Sequence, residues 1–374
     1  MKLNRQLFKV HSWLGLINGF FLILLGLSGS ALVFKDEIDD WSNKELLTVK
    51  QGHRDIRLHY IYEDITRRYP ALDGIAWLNP KPGRGKAYNF RLYLNDARIT
   101  SYDLGLISYN PYTGEVLREG SIDDLSPSVI NWIYQYHFSL QLGVPGAAYV
   151  ATLGICLIIS ILTGFIIYRK YIVKVLTFRL KINRKNWRTI TSDWHRIIGV
   201  WSLFFNAIIA FTGFWLNLFA YEPKLWANEM IPTAPNTLAK VSLDSLYEQA
   251  LLQMPDLIPT YVYLPTQPKK HFFVRGAVAG EASIWTGNNS IRFDAQTGEL
   301  ISINRIADER FWNKIEATFY SLHIGSYGGL PIKIIYVLIG LTPGFLSISG
   351  FLLWRRRRIR SKANIEAKNR RSQN

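Results

Sequence analysis

"HSWLGLINGFFLILLGLSG" (His11–Gly29) decides how this chain is organised. It begins with an ionisable imidazole and continues as an apolar run with no charge. Similar runs recur at about Trp13–Phe34, Ala147–Tyr168, Ile197–Phe219 and Ile334–Trp354. Each exceeds the ~18–20 residues a helix needs to cross a hydrocarbon layer of ~30 Å. Four membrane spans with two large polar loops are therefore expected. A signal peptide is excluded as the reading of the first run, because its pattern returns mid-chain, where no signal could lie.

The return is regular. His11-Ser-Trp-Leu-Gly15 matches His195-Arg-Ile-Ile-Gly199, and 17 to 18 residues after each His come Ser28-Gly29 and Thr212-Gly213. His137 is followed by Gly143, Pro145 and Thr163-Gly164. His323 is followed at the same offsets by Gly329, Pro331 and Ser349-Gly350. The loops share "NPYTGEVL" (110–117) and "FDAQTGEL" (293–300). One unit of span, external domain and span thus occurs twice.

Charge orients the spans. The formal net charge is +16. Residues 1–10 hold Lys2, Arg5 and Lys9, the loop 169–188 holds eight Lys/Arg, and the tail opens with Arg355 to Arg358, all without an acid nearby. Residues 35–131 are balanced, with 13 basic and 15 acidic residues. Basic membrane flanks mark the cytoplasmic side, so topology accounts for the charge and nucleic acid is not an expected partner. Both termini are expected in the cytoplasm. In a Gram-negative cell this is a multi-pass inner-membrane protein with periplasmic loops.

The resulting order is a cytoplasmic N-terminus and first span (1–34), an external domain (35–136) and a second span with its lead-in (137–168). A basic cytoplasmic loop (169–194), a third span (195–219) and a second external domain (220–322) follow. The fourth span with its lead-in (323–354) and a basic tail (355–374) end the chain. Both external domains are expected to be small α+β folds. Helices are predicted at "HYIYEDITRRYPAL" and "SLDSLYEQALLQM". Strands are predicted at "AYNFRLYL", "LGLISYNPYTGEVL", "TYVYLP", "KHFFVRGAV" and "NSIRFDAQTGELISI". Gly114 and Gly298 are expected to turn each Thr-Gly-Glu hairpin at positive φ.

Of seven histidines, His53, His59 and His271 have no counterpart in the other repeat and read as ordinary loop or surface residues. The other four are duplicated and lie at span boundaries. Topology pairs His11 with His195 inside and His137 with His323 outside. Two neutral imidazoles on facing helices could hold a b-type haem axially. Gly15, Gly199, Gly143 and Gly329 would leave room beside a flat macrocycle. Proton relay or helix-end capping remains open for the same histidines. The Ser/Thr-Gly pairs read equally as helix-packing sites. Phe20, Phe21, Phe204, Phe205 and Trp201 would line the gap between two haems. The single cysteine, Cys156, supports neither a disulfide framework nor a thiolate metal site.

At these motifs the chain resembles the PepSY-associated transmembrane-helix family, across nearly its whole length. The resemblance implies four spans, two PepSY-like periplasmic domains and b-haems held by histidines. It also implies reduction of ferric siderophores at the inner membrane. Carried onto this chain, the haem ligands would be His11, His195, His137 and His323, none of them an acid–base catalyst. No G-x-G-x-x-G or P-loop motif is present, so a soluble cytoplasmic reductase or a membrane quinol would supply electrons. The basic, glycine-rich stretch 79–88 could meet an anionic siderophore. Two other classes stay in view: a PepSY-bearing binding or regulatory protein without haem, and a transporter.

Overall fold

In a computed structural model, residues 2–80, 83–94, 104–226, 233–285 and 287–371 are described. The chain divides into two compact units. One comprises Met1–Val33, Tyr149–Asn217 and Leu330–Asn374; the other comprises Phe34–Ala148 and Leu218–Gly329.

The first unit is helical. Helix α1 (Lys2–Leu32) carries no charge beyond Lys9. Short helices α2 (Lys35–Ser42) and α3 (Lys44–Leu47), then α4 (Leu58–Arg68) and α5 (Val129–Ser139), belong to the other unit. Helix α6 (Gly143–Leu176) follows, then α7 (Trp187–Trp201), α8 (Leu203–Leu216), α9 (Leu243–Gln253), α10 (Phe311–Ile324), α11 (Gly329–Gly340) and α12 (Thr342–Arg371). Among the described residues, three helical stretches are long and apolar enough to cross a membrane: Leu3–Leu32, Gly143–Leu176 and Gly329–Ile359. The expected third span is instead a pair, α7 and α8, bent by 62°. The break falls at Ser202. Its hydroxyl donates back to Ile198 O at 2.7 Å, and Asn206 Nδ2 donates to Ser202 Oγ and across to Thr342 Oγ1 at 3.0 Å. Side-chain hydroxyls bonded into the backbone ladder bend helices.

Helices α1 and the α11–α12 pair approach closely through small residues. Ser30 Oγ donates to Val337 O at 3.0 Å, and a Cβ added to Gly26 would lie 2.5 Å from Gly340 O. Gly26→Ala must therefore push two backbones apart. The expected cost is about 1–3 kcal/mol, read as a lowered midpoint for thermal unfolding in detergent. An unchanged midpoint would show that this contact is dispensable.

The second unit is built on one antiparallel sheet. Its strands are β1 (Leu72–Leu78), β2 (Tyr88–Leu94), β3 (Leu104–Tyr109), β4 (Val116–Ser121), β5 (Leu257–Leu264), β6 (Phe272–Val278), β7 (Asn289–Phe293) and β8 (Leu300–Asn304). Their spatial order is β4-β3-β2-β1-β5-β6-β7-β8. Each repeat thus supplies four strands. The two external segments do not stand as separate domains, because β1 and β5 pair antiparallel, with Ala76 opposite Tyr263 and Trp77 opposite Val262. Sequence patterning does not mark β1: residues 75–77 are buried in succession, so no polar alternation shows. One core runs under both halves, from Ile61, Tyr62 and Ile65 on α4 to Leu246 and Ala250 on α9.

The two repeats also cap one another. Asp244 accepts the Leu58 and His59 backbone N–H groups at 2.7 and 2.9 Å, satisfying the start of α4. His59 Nδ1 accepts Leu243 N–H at the start of α9, at 3.4 Å. His59 is therefore a joining residue in a helix rather than a loop residue. Gly114 and Gly298 take φ of 77° and 82° in the two hairpins. Asn110 and Asp294 accept turn N–H groups through their side chains. Within the stretch 79–88, Lys81 and Pro82 lie outside the described residues, and Lys86 pairs with Asp40 at 2.5 Å.

A buried ion pair ties α2 to the sheet and to α5. Arg118 on β4 donates to both Asp39 oxygens at 2.9 and 3.0 Å and to Ser108 Oγ at 3.2 Å. Asp39 also accepts from Ser128, the residue that caps the N-terminus of α5.

Candidate functional site: two histidine pairs

The helical unit brings His11 on α1 beside His195 on α7. Their ring centres are 6.3 Å apart, with planes at 89°. Each imidazole is oriented from the second transmembrane helix of its own repeat. His11 Nδ1 lies 3.0 Å from Ser160 O and 3.2 Å from Thr163 Oγ1. A carbonyl only accepts, so Nδ1 carries the proton. The Thr163 hydroxyl donates to Ile159 O at 2.8 Å, which turns its lone pairs to the imidazole. The second repeat copies the device. His195 Nδ1 lies 2.8 Å from Ser349 Oγ, and Ser349 donates to Phe345 O at 2.8 Å. In a neutral imidazole so held, Nε2 carries the lone pair, and neither Nε2 has a hydrogen-bond partner among the described residues. Fixing one ring nitrogen by a hydrogen bond is how proteins aim the other at a metal.

The glycine of each Ser/Thr-Gly pair gives the imidazole its place. A Cβ on Gly164 would lie 3.2 Å from His11 Cε1, and one on Gly350 would lie 3.6 Å from His195 Cε1. From the sequence these pairs read equally as helix-packing sites. Their duplication at a fixed offset was the signal for a shared role, but only the fold shows that they face the histidines.

A cavity of about 350 Å³ opens between the two imidazoles, mostly apolar, with Gly15 and Gly199 on its wall. A Cβ on Gly15 would meet nothing within 4 Å, and one on Gly199 only Leu346 at 3.7 Å. Lys9, Arg196 and Arg357 also line it. Arg196 is held by Asp193 at 3.2 Å and lies over the Tyr171 ring at 4.8 Å. Its Nε is buried with no partner among the described residues. An apolar slot with unspent cationic donors suits a flat apolar ligand with acidic arms.

The sheet unit brings together the other two histidines. His137 sits in the last turn of α5 and His323 in the last turn of α10, with ring centres again 6.3 Å apart and planes at 48°. Both helices end in left-handed residues, Leu140 at φ 53° and Gly325 at φ 70°. Cβ atoms built on Gly143 and Gly329 would meet nothing within 4 Å.

The spacing tests the chemistry. A metal-bound imidazole nitrogen sits about 2.0 Å from its metal and about 1.1 Å from its own ring centre, so two imidazoles trans across one metal have centres about 6.2 Å apart. Both pairs have that separation. Among the described residues no three His, Cys, Asp or Glu side chains gather. The donor set is therefore two imidazoles per site, which fits axial ligation of haem better than a tetrahedral cage.

The aromatic lining differs from expectation. Phe20, Phe204 and Trp201 are 64%, 67% and 46% exposed on the helical unit, as lipid-facing side chains are. Phe21 packs on Tyr149 at 5.1 Å. None of these four, nor Phe205, lines the cavity beside His11 and His195.

Comparison with known proteins gives two findings. The profile of the PepSY-associated TM region matches residues 8–357. An uncharacterized protein of Pseudomonas aeruginosa is 23% identical over 262 residues, covering 61% of this chain and 64% of that protein. The aligned chain thus spans less than two thirds of that relative's length.

Proposed function

We propose that this chain, which belongs to the PepSY-associated transmembrane family, is a haem-holding reductase that passes electrons across the inner membrane to ferric siderophores in the periplasm. The observation that carries the reading is the twice-repeated 6.3 Å imidazole pair. The Lys/Arg-rich termini and central loop support a cytoplasmic position for the His11/His195 end. His137 and His323 then belong to the periplasmic end.

In each pair the histidines would hold the haem iron and set its potential rather than move protons. A bound b-haem supplies reversible one-electron chemistry at its iron. In the neutral imidazoles, Thr163 and Ser349 favour the Nδ1–H tautomer, which leaves Nε2 to bind iron. Arg196 and Arg357 supply cations for carboxylate arms. The apolar wall keeps water from the slot. The donor on the cytoplasmic side is a soluble reductase or a membrane quinol. The acceptor is Fe(III) in an oxygen-donor chelate outside, and one electron yields Fe(II), which such hard ligands hold more weakly.

Two experiments test this. Dithionite-reduced protein, mixed with a ferric siderophore and a ferrous trap, should reoxidise as Fe(II) forms. Failure with every ferric chelate would remove the substrate assignment. Thr163→Val keeps shape and removes the hydroxyl that orients His11. Haem affinity at the inner pair should fall about 10–100-fold, read by haem titration of the purified variant. Unchanged affinity would show that Thr163 only packs. A binding or regulatory protein with structural histidines would instead be colourless.

A further inference from the structure

The sheet has a second face, opposite the α4–α9 core, and it is not apolar. Arg91 on β2 stands in a row with Ala76, Tyr263, Phe273 and Arg292, set by the strand register. Arg275 on β6 lies opposite Tyr261 on β5. Arg91 and Arg275 are the same position in the two repeats, 184 residues apart. Across from them, the helices carrying the outer histidines present a second matched pair. Tyr134 precedes His137 by three residues, and Tyr320 precedes His323 by three, so each Tyr is one turn from its histidine.

The two sets face each other. The Arg91 guanidinium lies over the Tyr134 ring at 5.8 Å. Tyr320 and Arg275 hold the positions in the second repeat that Tyr134 and Arg91 hold in the first. Tyr93 and Tyr261 share a hydrogen bond at 2.8 Å between hydroxyls, and Phe273 stacks against Tyr263 at 5.1 Å. Among the described residues neither Arg91 nor Arg275 makes an ion pair or a side-chain hydrogen bond. Arg91 is half-buried, and a guanidinium there without an anion is costly to keep; Arg275, at the matching position of the other repeat, is exposed and open to a ligand. Arg donors, phenol hydroxyls and flat rings recognise one chemistry: a compact polyanion that carries aromatic rings.

We infer that this sheet face, where Arg91 meets Tyr134 of α5, is a binding site for an anionic, aromatic-ring chelate, anchored by Arg91 and Arg275 in the unit that carries His137 and His323. It deepens the reading above by naming the substrate class of its outer end. A tris-catecholate metal complex has that chemistry: three negative charges and three rings.

The test uses gallium(III), which is not reduced, so it needs no haem. Full-length protein in detergent is titrated with the trianionic gallium tris-catecholate and with a neutral gallium tris-hydroxamate, following tryptophan fluorescence. The anionic complex should bind at least about 10-fold more tightly, and its affinity should fall with salt. Arg91→Gln and Arg275→Gln should each weaken it about 10-fold or more, and Arg91→Lys should retain most of it. Equal affinity for both complexes in the wild type overturns the inference without any variant. So does undiminished binding in the Arg91→Gln/Arg275→Gln double variant. A red protein with no preference overturns this inference and leaves the haem reading standing. A colourless protein that selects the trianion does the reverse.

Discussion

Purified His11→Ala protein should contain about one b-haem where the wild type contains about two, because one axial nitrogen of the inner pair is gone. His323→Ala should lose the other. The two losses are expected to be spectroscopically distinct. The His11/His195 rings are nearly perpendicular, at 89°, and the His137/His323 rings are at 48°. The inner imidazoles are also hydrogen-bonded by Ser160 O, Thr163 and Ser349, and such bonding tunes a haem, so each variant should remove a different resonance. Electron passage needs both sites in series, so either variant should stop reduction of an external ferric chelate by an internal donor. The check is a haemochrome count with electron paramagnetic resonance on each variant. A full complement of haem in both would displace these histidines from the ligand set.

The second large effect lies in the sheet unit. Asp39→Ala should destabilise it by about 3–5 kcal/mol, since removing one partner leaves Arg118 as a buried, uncompensated charge. The pair is well enclosed: the two side chains are 5% and 14% exposed. The same variant frees the Ser128 cap of α5, the helix that ends at His137, so haem at the outer pair should loosen too. Asp256→Ala, at the more exposed Arg305 pair, is the control and should change little. The pH dependence has a definite sign. Burial would raise the Asp39 pKa, but the Arg118 hydrogen bonds and charge, with Ser128, outweigh it and hold the carboxyl below its ordinary value. A depressed acid contributes fully above its unfolded pKa of about 4 and is lost as pH falls through the folded value. Wild-type melting temperature should drop below about pH 4, and Asp39→Ala should flatten that part of the profile.

Much of this architecture is legible in one sequence. Apolar length reveals the spans, and the offsets from His11, His137, His195 and His323 reveal the duplication. Two features escape such reading because they depend on what the chain meets after folding. Strand β1, "LDGIAWL", is buried on both faces and interrupted by Gly74, so it lacks alternation, and with it goes the joint that makes one sheet from two repeats. The bend at Ser202 depends on Asn206 and Thr342, two polar groups 136 residues apart. The histidine pairs follow from topology. Their partners Thr163 and Ser349 sit within small-residue motifs whose commonest role is close helix packing. Phe20 and Phe204 show the opposite failure: aromatic content marked them, but only packing tells which face of a helix meets lipid.

The most direct test of the central claim is an absorption spectrum of the detergent-purified wild type, oxidised and then dithionite-reduced, with a pyridine haemochrome count. The account predicts a sharp reduced α-band and about two b-haems per chain, one for each imidazole pair. A colourless protein purified from haem-replete cells would contradict it.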